Sequence, residues 1–390
     1  MQIKISKIIG YFSLSLTAGI ALLSGCGGLG SVLSNTPGAS GYGPSIAQLQ
    51  TAQRIRPACS ARLGEAMCLA LIAKTNVQPN VAGWAPADFQ ARYKLPSKTK
   101  GAGQIVGIVG AYDNPNVASD LAAYRSNFGL GTANFSKYNQ NGEQGNYPAA
   151  NTGWGIESDL DVDMVSATCP NCTIYLIEAN TANGSDLETA EAEAVKLGAH
   201  IVSNSWTCYP LSCLRKRYFD TRGVEYLASA SDAGSQLGAP AVFDTVAAIG
   251  GTQLAKSGST YGETIWSGSG GGCATGIPKP KWQSIIPKSV CAYRIANDAA
   301  AEAGCSPGVA EYDSYGYGGW ISVCGTSAAS PLLAGVFGLA GNATSQVGGR
   351  TFWLTTHHKH LYKITGPCTY KLGQYTTCAG WGSPNGIGAF

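Results

Sequence analysis

Short apolar runs rich in β-branched residues alternate with segments of helical periodicity along most of this chain. The apolar runs cover residues 104–110, 173–178, 200–203, 224–230 and 245–249, and helical patterns cover 116–128 and 186–197. Each run has the length of a buried parallel strand, and a helix between two such strands forms a βαβ unit. The order therefore predicts an α/β fold: a doubly wound, mostly parallel sheet with helices on both faces.

The charge balance of the chain is nearly even. It carries 26 Lys and Arg against 23 Asp and Glu, a net charge of +3 over 390 residues. A nucleic-acid-binding protein shows a dense basic patch, so this balance argues against that class. With 44% apolar residues the chain is not a disordered polyelectrolyte either. We expect a folded protein without a nucleic-acid partner.

The N-terminus predicts export. Lys4 and Lys7 precede an apolar run at 8–23, and the sequence Leu23-Ser24-Gly25-Cys26 follows. This pattern is typical of a signal peptide, and its last four residues resemble a bacterial lipobox, in which the cysteine becomes lipidated. The alternative is an ordinary cleaved signal with a chance cysteine. We expect a lipoprotein anchored through Cys26 to a membrane of the cell envelope, or a secreted protein.

Composition divides the chain into four parts. Residues 1–25 form the predicted signal peptide, and residues 26–50 are rich in Gly, Ser, Pro and Asn, which is typical of a flexible tether. Residues 51–83 form a short cysteine-bearing segment without a clear long element. Residues 84–390 form the main domain, and its first helix is expected to begin at Pro86.

Cysteine count supports an oxidising compartment. There are 13 cysteines, and without Cys26 an even number remains, in close-spaced couples. We expect local disulfides between these couples, although spacing alone does not fix connectivity. The Cys169–Cys172 couple could also be redox-active or half of a zinc site, but it lacks a second ligand pair. The couples are Cys59 with Cys68, Cys169 with Cys172, Cys208 with Cys213, Cys273 with Cys291, Cys305 with Cys324, and Cys368 with Cys378.

One serine motif stands out as a candidate nucleophile. The hydrolase pattern Gly-x-Ser-x-Gly is absent, but Gly325-Thr326-Ser327-Ala328-Ala329-Ser330-Pro331 precedes an apolar run. The run predicts a buried helix with Ser327 at its N-terminus, where backbone N–H groups favour developing negative charge. The alternative is an ordinary helix cap.

The four histidines do not offer a partner for this serine. His200 precedes a strand and is interpreted as a packing residue. His357, His358 and His360 form a late cluster that could bind a metal, but no carboxylate lies nearby in sequence, so a surface segment is favoured. Histidine-dependent catalysis is disfavoured.

Two carboxylates offer a better partner. Apolar residues at 156, 160, 164 and 165 mark one face of a predicted helix, and Glu157 and Asp161 lie four residues apart beside it. Two close carboxyls resist double ionisation, so one can keep a proton and relay it. The alternative is a solvated acidic face.

Together these residues resemble the sedolisins, or serine-carboxyl peptidases, over about residues 84–390. The resemblance implies a subtilisin-like fold and a Ser-Glu-Asp triad in a peptidase acting on proteins or peptides, which we expect to be a monomer. The matching segments are Ala85-Pro86-Ala87-Asp88, Ala111-Tyr112-Asp113-Asn114-Pro115-Asn116, Asp120-Leu121, Glu157-Ser158-Asp159-Leu160-Asp161, Val202-Ser203-Asn204-Ser205, Gly250-Gly251-Thr252, Glu263-Thr264-Ile265-Trp266-Ser267 and the segment containing Ser327.

The resemblance also assigns roles. It implies that Ser327 is the nucleophile, Glu157 its general base and Asp161 the group that orients Glu157 and shares its proton. Asp232, in Ser229-Ala230-Ser231-Asp232-Ala233-Gly234, matches the family's oxyanion-hole Asp. That Asp donates a hydrogen bond only when protonated, so activity is expected at acidic pH.

The calcium site of the family matches poorly. Lys363 stands in place of a ligand Asp, and the late segment 380–386 has no carboxylate. Calcium needs oxygen ligands with compensating charge, so we expect no calcium or other cofactor. We expect the Lys363 ammonium or a Cys368–Cys378 bridge to hold this corner instead.

Other departures leave two alternatives open. Ser231 and Cys324 replace residues that are usually Gly in the family, and only about 55 residues separate Cys26 from Trp84, where the family has a long propeptide. These changes suit a catalytically silent, surface-displayed binding protein on the same scaffold. An ordinary His-dependent subtilisin-type hydrolase is the third interpretation.

Overall fold

The computed structural model describes residues 55–74 and 83–390. The predicted signal peptide, the tether and Cys26 lie outside the described residues, as do the two ends of the predicted segment 51–83. These domain boundaries stay predictions. Within the described residues, no helix is long and apolar enough to span a bilayer.

The described residues form five α-helices, which we number in chain order. They are α1 (Pro86–Arg92), α2 (Val117–Phe128), α3 (Thr152–Thr168), α4 (Gly184–Lys196) and α5 (Thr326–Ala340). Short 3-10 helices occupy Leu211–Cys213, Lys216–Phe219, Lys281–Gln283, Ala343–Ser345, Gly348–Trp353 and His358–His360.

Twenty strands accompany these helices. The first ten are β1 (Arg56–Pro57), β2 (Ala66–Cys68), β3 (Leu71–Lys74), β4 (Ile105–Ala111), β5 (Asn134–Asn139), β6 (Thr173–Ala179), β7 (Ile201–Asn204), β8 (Trp206–Cys208), β9 (Glu225–Ser229) and β10 (Val246–Ser257). The others are β11 (Thr260–Ile265), β12 (Gly272–Pro278), β13 (Tyr293–Ala296), β14 (Ala299–Glu302), β15 (Val309–Asp313), β16 (Gly319–Cys324), β17 (Leu361–Tyr362), β18 (Lys371–Leu372), β19 (Tyr375–Thr376) and β20 (Ser383–Pro384).

The central sheet has eight strands and confirms the predicted fold class. Its order is β11-β10-β9-β7-β4-β6-β5, and β14 also pairs with β10. Every neighbouring pair is parallel except β10 with β11. The five predicted apolar runs are the strands β4, β6, β7, β9 and β10.

Helices cover both faces of this sheet. Along β4, Val106 and Ile108 belong to one apolar core, which also contains residues of α2, α3 and α5. Val109 and Ala111 belong to a second core, which contains residues of α4. Because successive side chains of a strand point to opposite faces, the two cores lie on the two sides of the sheet.

Of the segment before Trp84, the described residues 55–74 contain short strands and no long element, as the sequence predicts for this stretch. β1 and β3 form a four-stranded sheet with β16 and β15, in the order β1-β3-β16-β15. Between them, β2 pairs antiparallel with β8. Pro86 is the first residue of α1, and the Asp88 carboxylate accepts a hydrogen bond from Ala85 N at 3.0 Å.

Six disulfides join the close-spaced cysteine couples of the sequence. The pairs are Cys59–Cys68, Cys169–Cys172, Cys208–Cys213, Cys273–Cys291, Cys305–Cys324 and Cys368–Cys378. The Cys169–Cys172 couple is thus a disulfide in this structure and not half of a zinc site. Each bridge closes a loop of 3 to 19 residues, so all of them constrain the chain locally.

Candidate active site

The helix α3 carries the two predicted carboxylates into the protein interior. It begins after Asn151, whose side chain accepts hydrogen bonds from Gly153 N and Trp154 N. Glu157 and Asp161 are each only 1% exposed. The interpretation as a solvated acidic face is therefore wrong, because every residue of α3 from Gly153 onward is buried.

Ser327 lies in the first turn of α5 and contacts one of these carboxylates. Its Oγ donates to Glu157 Oε2 at 2.8 Å and approaches the Ser205 carbonyl oxygen at 3.0 Å. The preceding Gly325 has a φ of +109°, a conformation that a side chain would strain. The predicted placement of the serine at a helix N-terminus is confirmed.

Asp161 accepts a hydrogen bond from Ser205, to which neither the sequence pattern nor the resemblance assigns a catalytic role. Ser205 Oγ donates to Asp161 Oδ1 at 2.5 Å and approaches the Ser327 carbonyl oxygen at 3.2 Å. Ser205 lies immediately after β7, at the carboxyl end of a parallel strand. Polar residues at such strand ends commonly form the binding crevice of α/β folds, and that position is the signal that could have found it.

Burial dominates the electrostatics of this pair. It raises the pKa of the Glu157 carboxyl well above its ordinary value, and the neighbouring Asp161 charge raises it further, against the hydrogen bonds from Ser327 and Ala70. Burial also raises the pKa of Asp161, against the hydrogen bond from Ser205. The pair therefore favours a state with at least one proton.

Asp232 faces the N-terminus of α5 from the loop after β9. Its Oδ1 accepts hydrogen bonds from Thr326 N at 2.8 Å and Thr326 Oγ1 at 2.7 Å. Its buried Oδ2 has no hydrogen-bond partner among the described residues. Burial raises the pKa of Asp232 to about 7, against the two Thr326 hydrogen bonds.

The residue before Asp232 keeps a backbone conformation suited to glycine. Ser231 has a φ of +148°. Its carbonyl oxygen accepts a hydrogen bond from Gly270 N at 2.6 Å, and its Oγ accepts one from Ala233 N at 3.1 Å. The substitution noted in the sequence thus leaves the loop geometry in place at the expense of backbone strain.

A second hydrogen bond to Glu157 comes from the N-terminal segment. Ala70 N donates to Glu157 Oε2 at 2.9 Å, across 87 residues of sequence. No periodicity or motif in the sequence pointed to this contact.

The histidines lie away from this site. His200 is exposed and its Nδ1 contacts the Gly223 carbonyl oxygen at 3.0 Å, so its interpretation as a packing residue is wrong. His358 stacks on Trp381 with ring centroids 3.6 Å apart. The late histidines thus belong to a partly buried surface turn.

The corner where the family's calcium site is expected to be lost lies at the pairing of β17 with β20, and Lys363 follows directly after β17. The Lys363 side chain is exposed and makes no ion pair with the described residues, so its ammonium does not hold this corner. Instead, Gln374 Nε2 donates to the carbonyl oxygens of Trp381 at 2.7 Å and Leu361 at 3.4 Å. The Gln374 amide thus joins the segment at Leu361 to the segment at Trp381.

Another group of carboxylates could reach one ion. Oxygens of Asp120, Asp159 and Asp313 lie within 4.8 Å of one another, and all three residues are buried. Asn114 Nδ2 donates to Asp159 at 2.8 Å. Burial raises the pKa of Asp159 well above its ordinary value, and the charges of Asp120, Asp163 and Asp313 raise it further. This cluster can hold protons, and we assign no metal to it.

Two curated proteins are similar in sequence, whereas no protein-family model matches the chain. Sedolisin from Pseudomonas sp. (strain 101) is 24% identical over 391 residues, which cover 88% of this chain and 65% of sedolisin. Xanthomonalisin from Xanthomonas sp. (strain T-22) is 30% identical over 176 residues, covering 39% of this chain and 21% of that protein. The chain thus spans less than two thirds of the length of these relatives.

Solved structures share the fold. The structure of Pseudomonas sedolisin, a serine-carboxyl proteinase complexed with pseudo-iodotyrostatin, superposes with a TM-score of 0.68 at 23% identity, over 78% of this chain and 96% of that one. A lanthipeptide protease superposes with a TM-score of 0.53 at 14% identity, over 78% of this chain and 92% of that one. The chain is therefore a homologue of sedolisin and has its subtilisin-like α/β fold.

Proposed function

We propose that this protein is an exported serine-carboxyl endopeptidase that hydrolyses peptide bonds at acidic pH. The observation that carries the proposal is the 2.8 Å hydrogen bond from Ser327 Oγ to Glu157 Oε2, in a buried site that also holds Asp161 and Asp232. A serine needs a base within hydrogen-bond reach to act as a nucleophile, and Glu157 meets that condition.

The two carboxyls of α3 would share the proton work. The ionised Glu157 accepts the Ser327 proton as Oγ attacks a substrate carbonyl carbon, and it returns the proton to the leaving amine. Asp161 keeps its own proton and stays neutral while Glu157 is ionised, because two buried carboxyls this close resist double ionisation. Ser205 positions Asp161 through its 2.5 Å hydrogen bond.

Asp232 would stabilise the oxyanion. Its Oδ1 is engaged by Thr326, so only Oδ2 remains for a new partner. Oδ2 donates a hydrogen bond only when it is protonated, which with a pKa of about 7 holds under acidic conditions. A preorganised donor at the developing charge contributes about 100-fold to 1,000-fold in rate.

Two observations support export, one from the structure and one from the sequence. Six disulfides are typical of a protein that folds in an oxidising compartment. The lipid anchor at Cys26 rests on the sequence pattern alone, and Cys26→Ser should abolish labelling of the protein by a radioactive fatty acid.

The test is hydrolysis of a peptide mixture between pH 3 and pH 8 by wild type, Ser327→Ala and Glu157→Gln. We expect each variant to lose about 10⁴-fold or more of kcat, because triad members act as a unit. His200→Ala is the control and should keep full activity, since His200 is exposed. Loss of activity in His200→Ala with retention in Glu157→Gln would favour a His-dependent hydrolase. Equal background in wild type and Ser327→Ala would favour the silent binding protein.

A further inference from the structure

The stretch from residue 264 to residue 390 presents no acidic side chain to solvent. It contains four acidic residues, and all four are fully buried: Asp298, Glu302, Glu311 and Asp313. The same stretch has six exposed cations, which are Lys281, Lys288, Arg350, Lys359, Lys363 and Lys371. None of these six takes part in an ion pair of the described residues. The even charge balance of the whole chain therefore hides a stretch whose exposed charges are all positive.

A disulfide-closed hairpin carries two of these cations. Strands β12 and β13 pair antiparallel, and the Cys273–Cys291 bridge closes the loop between them. Within this loop, the Lys279 ammonium donates to the carbonyl oxygens of both Ile286 and Cys291. One ammonium thus draws two parts of the loop together, and the residues that directly precede its two partners, at positions 285 and 290, lie close to each other.

The loop has an inner and an outer set of apolar side chains. On the inner side, Ile286 is buried and the Trp282 ring lies 5.6 Å from the Trp353 ring. On the outer side, Ile285 is 54% exposed and Val290 is 40% exposed. A single exposed apolar residue is ordinary, but exposed apolar residues that lie together mark an interaction surface.

The hairpin is continuous with a later turn of the same character. Leu354 follows Trp353 directly and is 39% exposed. The next short helix, His358–His360, contains the exposed Lys359. Because Trp353 contacts Trp282 of the hairpin, the apolar and basic residues of both segments surround one aromatic contact. We call Lys281, Ile285, Lys288, Val290, Leu354 and Lys359 the hairpin surface.

We propose that the hairpin surface docks the protein on an anionic lipid bilayer. Its lysines would contact lipid phosphates, while Ile285 and Val290 enter the boundary between headgroups and acyl chains. A bilayer fits this surface better than a nucleic acid does, because these aliphatic side chains have no planar face on which a base could stack. A single acyl chain gives only reversible membrane binding, and a basic surface is one of the features that makes binding stable.

Docking would hold the candidate active site close to the bilayer. The hairpin begins directly after Gly270 and Gly271, whose N–H groups donate to the carbonyl oxygens of Ser231 at 2.6 Å and Gly234 at 2.8 Å, on either side of Asp232. From there β12 runs for seven residues, which span at most about 23 Å. If the proposed function holds, substrates that lie at a membrane surface are the class favoured by this arrangement.

The experiment measures binding of the full chain to lipid vesicles by flotation. The chain carries Cys26→Ser, so that no lipid attaches there, and the vesicles are phosphatidylcholine alone or a mixture with phosphatidylglycerol. We expect stronger binding to the anionic mixture. Reversal of two charges, Lys281→Glu with Lys288→Glu, should weaken this binding about 25-fold or more, because each lysine near an anionic surface contributes about 5-fold. The matched control, Lys98→Glu with Lys100→Glu, changes two other exposed lysines and should bind nearly as the parent chain does.

A fluorescent label locates the contact. In the same background, Ile285→Cys supplies a free thiol for an environment-sensitive dye, since the other cysteines form six disulfides. Tyr147→Cys is the control, because Tyr147 is also exposed, at 36%, but stacks on Lys137, which pairs with Asp113. We expect the emission to shift to shorter wavelength on anionic vesicles for the label at 285 only.

Three results would overturn the membrane surface. They are equal weakening by the two double variants, equal emission shifts at 285 and 147, and binding to duplex DNA without binding to anionic vesicles. Docking does not depend on catalysis, so Ser327→Ala should bind vesicles as the parent chain does, and the Lys281→Glu and Lys288→Glu variant should hydrolyse soluble peptides normally. Loss of hydrolysis in every variant would therefore overturn the proposed function alone.

Discussion

Ser205 Oγ donates a hydrogen bond of 2.5 Å to Asp161 Oδ1, and this bond connects the end of β7 to the middle of α3. Ser205 thus contacts the pair Glu157 and Asp161 from outside α3, and the sequence did not predict this contact. It acts on the protonation of the pair, because it lowers the pKa of Asp161 while burial raises it.

Removal of this hydrogen bond should move the acid limb of the activity profile. In Ser205→Ala the pKa of Asp161 rises further, so the pair of carboxyls loses the first of its two protons at higher pH. We therefore expect the acid limb of kcat/KM to shift to higher pH, and kcat to fall about 10-fold to 100-fold. Ser203→Ala is the matched control, because Ser203 lies on β7 only two residues before Ser205 but forms its hydrogen bond with Ser330 Oγ, at 3.0 Å. The same shift in both variants would contradict a positioning role for Ser205.

Replacement of Asp232 should change how the activity declines at alkaline pH. In wild type, activity is expected to fall as the pH rises through about 7, because the ionised Asp232 has no O–H to donate. In Asp232→Asn the amide keeps an N–H donor at every pH while its oxygen still accepts from Thr326, so the decline near pH 7 should disappear. Rate measurements from pH 4 to pH 9 check this, and an unchanged decline in Asp232→Asn would contradict the oxyanion role.

Stability should be greatest at acidic pH. Burial raises the pKa of Glu178 and Glu191 to about 8, so the folded state holds these protons to higher pH than the unfolded chain does. Their contribution is therefore complete below about pH 4 and decreases as the pH rises toward about 8. Urea unfolding at pH 4, 6 and 8 should show a decreasing midpoint.

Glu191 offers a variant for this effect that removes no hydrogen bond of Ser327. It is fully buried on α4, where its Oε1 accepts from Asn204 Nδ2 at 3.2 Å and its Oε2 has no partner among the described residues. The Glu191→Gln variant has no titrating group at position 191, so its loss of stability between pH 4 and pH 8 should be smaller than that of wild type. An identical pH dependence in this variant and wild type would show that Glu191 is not protonated in the folded protein.

The protein should bind no structural calcium at the corner between β17 and β20. Lys363 brings a positive charge to this corner, and the segment 380–386 has no carboxylate to compensate the charge of a cation. We expect metal analysis after dialysis to find calcium well below one per chain, and EDTA to leave the melting temperature unchanged. One tightly bound calcium per chain would contradict this prediction.

Local pattern was sufficient to predict the sheet and the shared face of Glu157 and Asp161, because both follow from spacing along one element. Their burial was not predictable, since the apolar stripe of α3 marks a single face and the helix is buried on all sides. Ala70 and Ser205 reach the site through pairing across 87 and 44 residues, which periodicity does not encode. The exposure of His200 likewise depends on tertiary packing that the flanking strand pattern does not reveal.

The disulfide Cys59–Cys68 constrains the loop that leads into Ala70. The bridge joins residues nine apart in sequence, and two residues beyond it Ala70 N donates to Glu157 Oε2 at 2.9 Å. This donor favours the ionised form of Glu157, so a loosened loop would change the proton affinity of the candidate base. Reduction of one disulfide would therefore make the chemistry of the site depend on the redox state of the surroundings.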